Sequence, residues 1–264
     1  MKLPVYQVDA FTDQLFKGNP AAVVPLYSWL SDELMQAIAA ENNLSETAFF
    51  VPAGGGFHLR WFTPGYEVDL CGHATLATAH VLWQELNYSE PELHFHSSSG
   101  ELVVSKAGQQ YQLNFPKNEL HPFELSQGLR DKIGVPVVEV WESRKIMVVL
   151  DNEQQVAEFA GTFADIECQQ GVILTAPADH PDIDFVSRYF CAPGAGIDED
   201  PVTGSAHCLL TPYWSQRLGK TELYGRQISS RSGDLRCRLQ QDRVLMTGSA
   251  VTYLSGNIHL EGKL

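Results

Sequence analysis

Two short stretches combine residue types that can hold a small charged molecule. Residues 198–207 read DEDPVTGSAH, three acids and a proline set against a glycine that opens the apolar run CLLTPYWSQRL. Residues 71–75 read CGHAT and open a second apolar run. A glycine at the start of a helix lets a ligand approach the backbone, because no Cβ blocks it, and the first N–H groups of the helix have no partner in the helix itself. Such an end favours an anion by roughly 0.3 to 1 kcal/mol, and by about 2 when partly buried. Two such ends facing each other across a lobe interface would clamp a small carboxylate. Taken singly, each stretch is equally well an ordinary turn, since Asp-Pro and Thr-Gly are common turn and capping chemistry. A mere turn explains less easily why polar His73 and Ser205 hold matching places after Gly72 and Gly204.

The rest of the composition bounds the reading. The 264 residues are 44% hydrophobic, enough for a real core, and carry a formal charge of -14. That acidity argues against nucleic acid, whose binding rests on clustered Lys and Arg. The opening MKLPVYQVDAFTDQLFKG places Asp9 and Asp13 where a signal peptide would need its apolar centre, and no run of about 18 apolar residues suggests a membrane span. A cytoplasmic protein with no membrane partner is expected. Cys71, Cys168, Cys191, Cys208 and Cys237 are odd in number and widely spaced, which fits a reducing compartment better than a disulfide framework. His94 and His96 in LHFHS share one face of a strand with no further ligand at useful spacing, so they read as a solvated face and no metal site is expected.

The chain also echoes itself. GHATLATAHVLWQEL at 72–86 aligns with GSAHCLLTPYWSQRL at 204–218, matching Gly72 with Gly204, Ala74 with Ala206, Gln84 with Gln216 and Leu86 with Leu218 at an offset of 132. SSSGEL at 97–102 meets SRSGDL at 230–235, and QQYQLNF at 109–115 meets QDRVLMT at 241–247, at nearly the same offset. In each half, strands dominate and two helices are expected. The first half has strands at VYQVDAF, PAAVVPL, TAFFVP, FHLRWFTP, ELVVSK and YQLNFP, a helix over SDELMQAIAAENN capped by Ser31, and a second from about Gly72. The second half repeats the plan, with strands in EVWESRKIMVVLD, GVILTAP, DFVSRYFC, LRCRLQ and RVLMTG, a helix near NEQQVAEFAG and one from about Gly204. Pro212 is expected to bend that last helix. The pattern predicts an α+β protein of two similar pseudo-symmetric lobes, residues 1–118 and 119–264, each a mixed or barrel-like sheet around a central helix.

GNPAAVV at 18–24, NLSETAFF at 43–50, RWFTPGYEVDLCGHATLATAH at 60–80 and DEDPVTGSAH at 198–207 resemble, in order and over nearly the full chain, the phenazine-biosynthesis PhzF-like family of isomerases. The resemblance implies the diaminopimelate-epimerase fold, with the terminal YLSGNIHLEGKL returning to the first lobe, and a homodimer. It implies chemistry without a cofactor, like that of the phenazine member, which moves a hydrogen between ring carbons of trans-2,3-dihydro-3-hydroxyanthranilate. Carried over position by position, it makes Glu46 the general acid/base and Gly72, His73, Asp200, Gly204 and Ser205 the substrate-binding groups, with Asn19, Ser45 and Cys71 in support. A carboxyl group beside Leu44, Phe49 and Phe50 suits that role, since an apolar setting lets it hold a proton at neutral pH. Asp200 beside a carboxylate-binding helix end suits a substrate that also carries an amino group. Asp198 and Glu199 read as solvated or supporting charges. Relatives of the same fold use two thiols, but only Cys71 sits where one is needed and Cys208 lies a helical turn too late. A Cys71-dependent racemase and a non-catalytic binder of small metabolites are the alternatives.

Overall fold

The computed structural model describes residues 1–163 and 171–260, so Cys168 lies outside the described residues. The chain divides into two compact units, Met1–Asn114 together with the C-terminal stretch from Thr247, and Phe115–Met246. In chain order the first holds β1 (Lys2–Ala10), β2 (Asn19–Pro25), α1 (Asp32–Asn42), β3 (Glu46–Ala53), β4 (Gly56–Phe62), β5 (Glu67–Val68), α2 (Gly72–His80), β6 (Glu92–Ser97), β7 (Gly100–Ala107) and β8 (Gln110–Pro116). The second holds β9 (His121–Pro122), α3 (Gln127–Ile133), β10 (Glu139–Glu142), β11 (Ile146–Val149), α4 (Glu153–Ala157), β12 (Val172–Pro177), β13 (Phe185–Phe190), β14 (Glu199–Asp200), α5 (Gly204–Leu218), β15 (Glu222–Gln227), β16 (Gly233–Gln240) and β17 (Arg243–Gly248). The last strand, β18 (Ala250–His259), pairs antiparallel with β1 in the first unit. Among the described residues no helix is long and apolar enough to cross a membrane.

Both units follow one pairing plan, which is the α+β architecture the internal repeat announces. In the first, β1–β2 is antiparallel, β2–β3 parallel, β3–β4 antiparallel, β4–β6 parallel and β6–β7 antiparallel, with β5 hooked onto β4. The second repeats this sense by sense: β10–β11 antiparallel, β11–β12 parallel, β12–β13 antiparallel, β13–β15 parallel and β15–β16 antiparallel, with β14 hooked onto β13. Parallel pairs need crossovers, and α1, α2, α4 and α5 fall in the crossovers between the paired strands.

Each sheet is covered on both faces. Met35 and Ile38 of α1 pack with Val24, Phe49 and Phe62 on one side of the first sheet. Every residue of α2 is buried, and the helix touches β1, β2, β3 and β18. Thus ETAFFVPA in β3 reads as a continuous apolar run rather than an alternating one, as a strand buried on both faces does. The hydroxyls inside α2 are satisfied locally, Thr75 Oγ1 donating to the Cys71 carbonyl at 2.5 Å and Thr78 Oγ1 to Ala74 at 2.7 Å. In the second unit, Leu129 and Ile133 of α3 and Val156 of α4 share a core with Val148, Leu174 and Val186.

The structure adds α3, which the sequence pattern does not predict, to the second unit. It also keeps α5 helical through Pro212. The Cys208 carbonyl, which a residue other than proline at 212 would have bonded, accepts the Asn118 N–H at 3.0 Å instead.

Candidate active site

In the first unit three turns converge on one buried cluster. Gly18 has φ of +63°, and a Cβ there would meet the Ala10 carbonyl oxygen at 2.2 Å, so only glycine can close the loop into β2. That loop delivers Asn19 buried at the head of the strand. Asn43, left-handed at φ +48°, stops α1. Ser45 follows buried, and Glu46 opens β3 opposite Ala21. Finally the start of α2 places Cys71, Gly72 and His73 in the interior.

His73 stands at the centre of this cluster. Its Nδ1 takes a hydrogen bond from Asn19 Nδ2 at 3.0 Å, and Cys71 Sγ lies 3.4 Å from the same nitrogen. Its Nε2 lies 3.2 Å from Glu46 Oε2, in an approach that lacks full hydrogen-bond alignment. An amide nitrogen can only donate, so Nδ1 is the acceptor and Nε2 carries the proton. Burial pushes the His73 pKa down to about 3, so the ring that meets Glu46 is neutral at physiological pH.

Glu46, Cys71 and His73 each bring one potential metal-ligating atom within 4.8 Å of the others. The sulfur faces Nδ1 and the carboxylate faces Nε2. The two ring nitrogens point in divergent directions, so the three side chains form a chain through the ring rather than a converging tetrahedral set. His94 and His96 do not converge on a ligand either. His94 bridges Glu101 at 2.9 Å and Glu92 at 3.1 Å on the half-exposed face of β6, and His96 lies against His58.

In the second unit the DPVT turn is held by buried polar groups. Asp200 is 5% exposed, and its Oδ2 accepts the Thr203 hydroxyl at 2.6 Å. Gln227, fully buried at the end of β15, donates to the Asp200 carbonyl at 2.6 Å and accepts the Thr203 N–H at 2.8 Å. Ser229 Oγ donates to the Pro201 carbonyl at 2.7 Å. Gly204 is buried and Ser205 half-buried at the start of α5. His207 donates to the Thr203 carbonyl, one turn back, at 2.9 Å. The Lys145 ammonium stands 5.4 Å over the Tyr189 ring, and Tyr189 pairs with Asp200 across the β13–β14 ladder. Burial lowers the Lys145 pKa, while the nearby Cys208, Asp200 and Cys191 oppose that shift. The Cys208 thiol is itself pushed up to about 12 by burial, which leaves it inert as a base.

The sequence-derived site residues therefore gather in two groups, Asn19, Ser45, Glu46, Cys71, Gly72 and His73 in the first unit and Asp200, Gly204 and Ser205 in the second. Thr203, Gln227 and Lys145 join the second group without having been singled out in the sequence.

Glu199 proves to be a supporting charge with a duplicate. It pairs with both ends of the Arg188 guanidinium at 2.8 and 2.7 Å, as Glu67 pairs with Arg60 at 2.6 and 2.6 Å. Each arginine also covers a phenylalanine two residues on along the same strand, Phe190 at 4.9 Å and Phe62 at 5.2 Å. Both glutamates stand five residues before the helix glycine and fasten the strand hook that precedes it. Asp200 has no such duplicate, since its counterpart is Val68.

The two central helices begin differently from the others. Ser31, Ser126 and Asn152 cap α1, α3 and α4 with side-chain oxygens. Neither Cys71 at α2 nor Thr203 at α5 makes a side-chain cap, and neither first turn contains an acid. The first N–H groups of these two buried starts are therefore not satisfied by a capping side chain.

Comparison with known proteins agrees with this geometry. The family model of phenazine biosynthesis-like proteins, PhzC-PhzF, matches residues 8–256. An uncharacterized isomerase of Pseudomonas aeruginosa is 49% identical over 263 residues, covering 98% of this chain and all of the relative, and one of Halalkalibacterium halodurans is 46% identical with 98% and 100% covered. The crystal structure of a PhzF-family phenazine biosynthesis protein of Enterococcus faecalis superposes with a TM-score of 0.91 at 45% identity, covering 98% of this chain and 100% of that one. With its family model, its full-length relatives and its fold in agreement, the chain belongs to the phenazine biosynthesis-like (PhzC-PhzF) family and is an isomerase.

Proposed function

We propose that this isomerase moves a carbon-bound proton on a small amino- or cyclic carboxylic acid, without a cofactor, with Glu46 as the general acid/base. The contact between Glu46 and His73 carries the reading. A neutral Nε2–H faces the carboxylate and orients it without setting a full positive charge against it. Glu46 takes the proton from carbon, the electron pair passes into the substrate's conjugated carboxylate, and Glu46 returns the proton at a second position. Gly204 and Ser205, at the uncapped start of α5, bind that carboxylate and hold the charge that develops on it. Asp200 receives the amino group. In Glu46→Gln, turnover falls by about 10² to 10⁴ while calorimetry still detects the ligand, and full turnover in that variant contradicts the assignment.

A second reading rests on the 3.4 Å contact of Cys71 with His73, which would make the thiol a partner acid. Cys71→Ala separates the two, since Glu46 acting alone predicts retained turnover and a thiol partner predicts its loss. A reducing, cytoplasmic setting belongs to the same proposal, supported by buried and unbridged Cys71, Cys191, Cys208 and Cys237. So does a homodimer, which light scattering of the purified protein tests.

A further inference from the structure

Gln227 is remote from the DPVT turn in sequence, yet its side-chain amide makes three contacts there. Oε1 accepts the Thr203 N–H at 2.8 Å, and Nε2 donates to the Asp200 carbonyl at 2.6 Å and to Thr203 Oγ1 at 3.3 Å. The residue is completely buried, so these bonds do not compete with water. Their directions are forced. An amide nitrogen only donates, so Thr203 Oγ1 is an acceptor toward Gln227 and its own proton must point elsewhere. The partner in line is Asp200 Oδ2 at 2.6 Å. The amide of Gln227 therefore sets the hydroxyl of Thr203, and the hydroxyl sets the rotation of the Asp200 carboxylate. Only an amide at 227 serves, because a carboxylate there has no donor for the Asp200 carbonyl and an apolar side chain has neither donor nor acceptor.

We infer that Gln227 is a positioning residue for recognition of the substrate's amino group, acting through Thr203 to fix which oxygen of Asp200 is presented. This rests on the proposal that Asp200 receives that group. Gln227 itself touches no substrate. Losing it removes the Thr203 constraint on the carboxylate and weakens binding of an amino-bearing acid, while an acid lacking the amino group is bound as before.

The test compares calorimetric binding of cis-2-aminocyclohexanecarboxylate with that of cyclohexanecarboxylate. The wild-type protein prefers the amino acid, and Asp200→Asn abolishes the preference. Gln227→Met, close in shape but without the amide, lowers the preference by about ten- to a hundred-fold, as expected on losing a charge-assisted hydrogen bond. It leaves the affinity for the des-amino acid within a factor of two or so, which a merely structural role would not do. Thr203→Val, which deletes only the hydroxyl, reproduces the loss and serves where Gln227→Met folds poorly. An undiminished preference in either folded variant, with Asp200→Asn still losing it, overturns the role of Gln227 alone. No preference in the wild type, or a preference that survives Asp200→Asn, overturns the assignment of Asp200 and this inference with it.

Discussion

Asn19 and Glu46 hold opposite edges of one imidazole, Asn19 Nδ2 at 3.0 Å from Nδ1 of His73 and Glu46 Oε2 at 3.2 Å from Nε2. The first contact fixes the tautomer that the second uses. Asn19 thus acts on the proposed base from two groups away. Asn19→Leu should lower kcat by about ten-fold or more while leaving KM close to wild type, because the ring can then present a proton-free Nε2 to the carboxylate. A change confined to KM would place Asn19 in substrate binding instead.

The loop that carries Asn19 depends on its neighbour. Gly18→Ala asks a Cβ to sit where the Ala10 carbonyl oxygen lies 2.2 Å away, with the backbone at φ +63°. The expected loss of stability is about 1 to 3 kcal/mol, read from the urea midpoint, with a fall in activity from the displaced asparagine. An unaltered midpoint would show that the loop has room the structure does not reveal.

Acid should weaken the fold in a defined window. Burial holds the pKa of His73 down at about 3 and that of His207 at about 4. Unfolded histidine titrates near 6.5, so between these values the unfolded chain binds more protons than the folded one. Stability from these two groups is fully present above about pH 6.5 and is lost as pH falls through the folded values, by up to about 1.4 kcal/mol per pH unit for each. Urea unfolding between about pH 7 and about pH 5 checks this, and His207→Gln, which keeps a donor for Thr203, should make the dependence shallower. A variant as pH-sensitive as wild type would remove His207 from the account.

How far the sequence reveals this site depends on whether the residues act from turns. Glu46, His73, Gly204 and Asp200 lie in short motifs at helix and strand boundaries, where residue type and backbone role coincide. The half-chain repeat likewise anticipates matching elements, since GHAT and GSAH open α2 and α5. Gln227 leaves no such trace. It follows Asp200 by 27 residues, at the end of a strand, and only the parallel β13–β15 pairing carries it to the turn. The duplicated Arg60–Glu67 and Arg188–Glu199 pairs are spelled in the chain, but their meaning depends on the hooks of β5 and β14, which are two residues each and too short for periodicity. The seven residues of α3 are similarly brief, and its local signals are few: the Ser126 cap, Arg130 and Lys132 in the last turn, and left-handed Gly134 at the stop.

Proton transfer by Glu46 leaves a direct trace, the incorporation of deuterium at carbon. Proton NMR in D2O would follow the purified protein with a panel of small amino and cyclic carboxylic acids, trans-2,3-dihydro-3-hydroxyanthranilate among them, beside Glu46→Gln. The wild-type protein should convert a compound or exchange its carbon-bound hydrogen, and the variant should do neither although it still binds the same compound. Exchange that proceeds equally in Glu46→Gln, or binding without exchange across the panel in the wild type, would contradict proton transfer by Glu46.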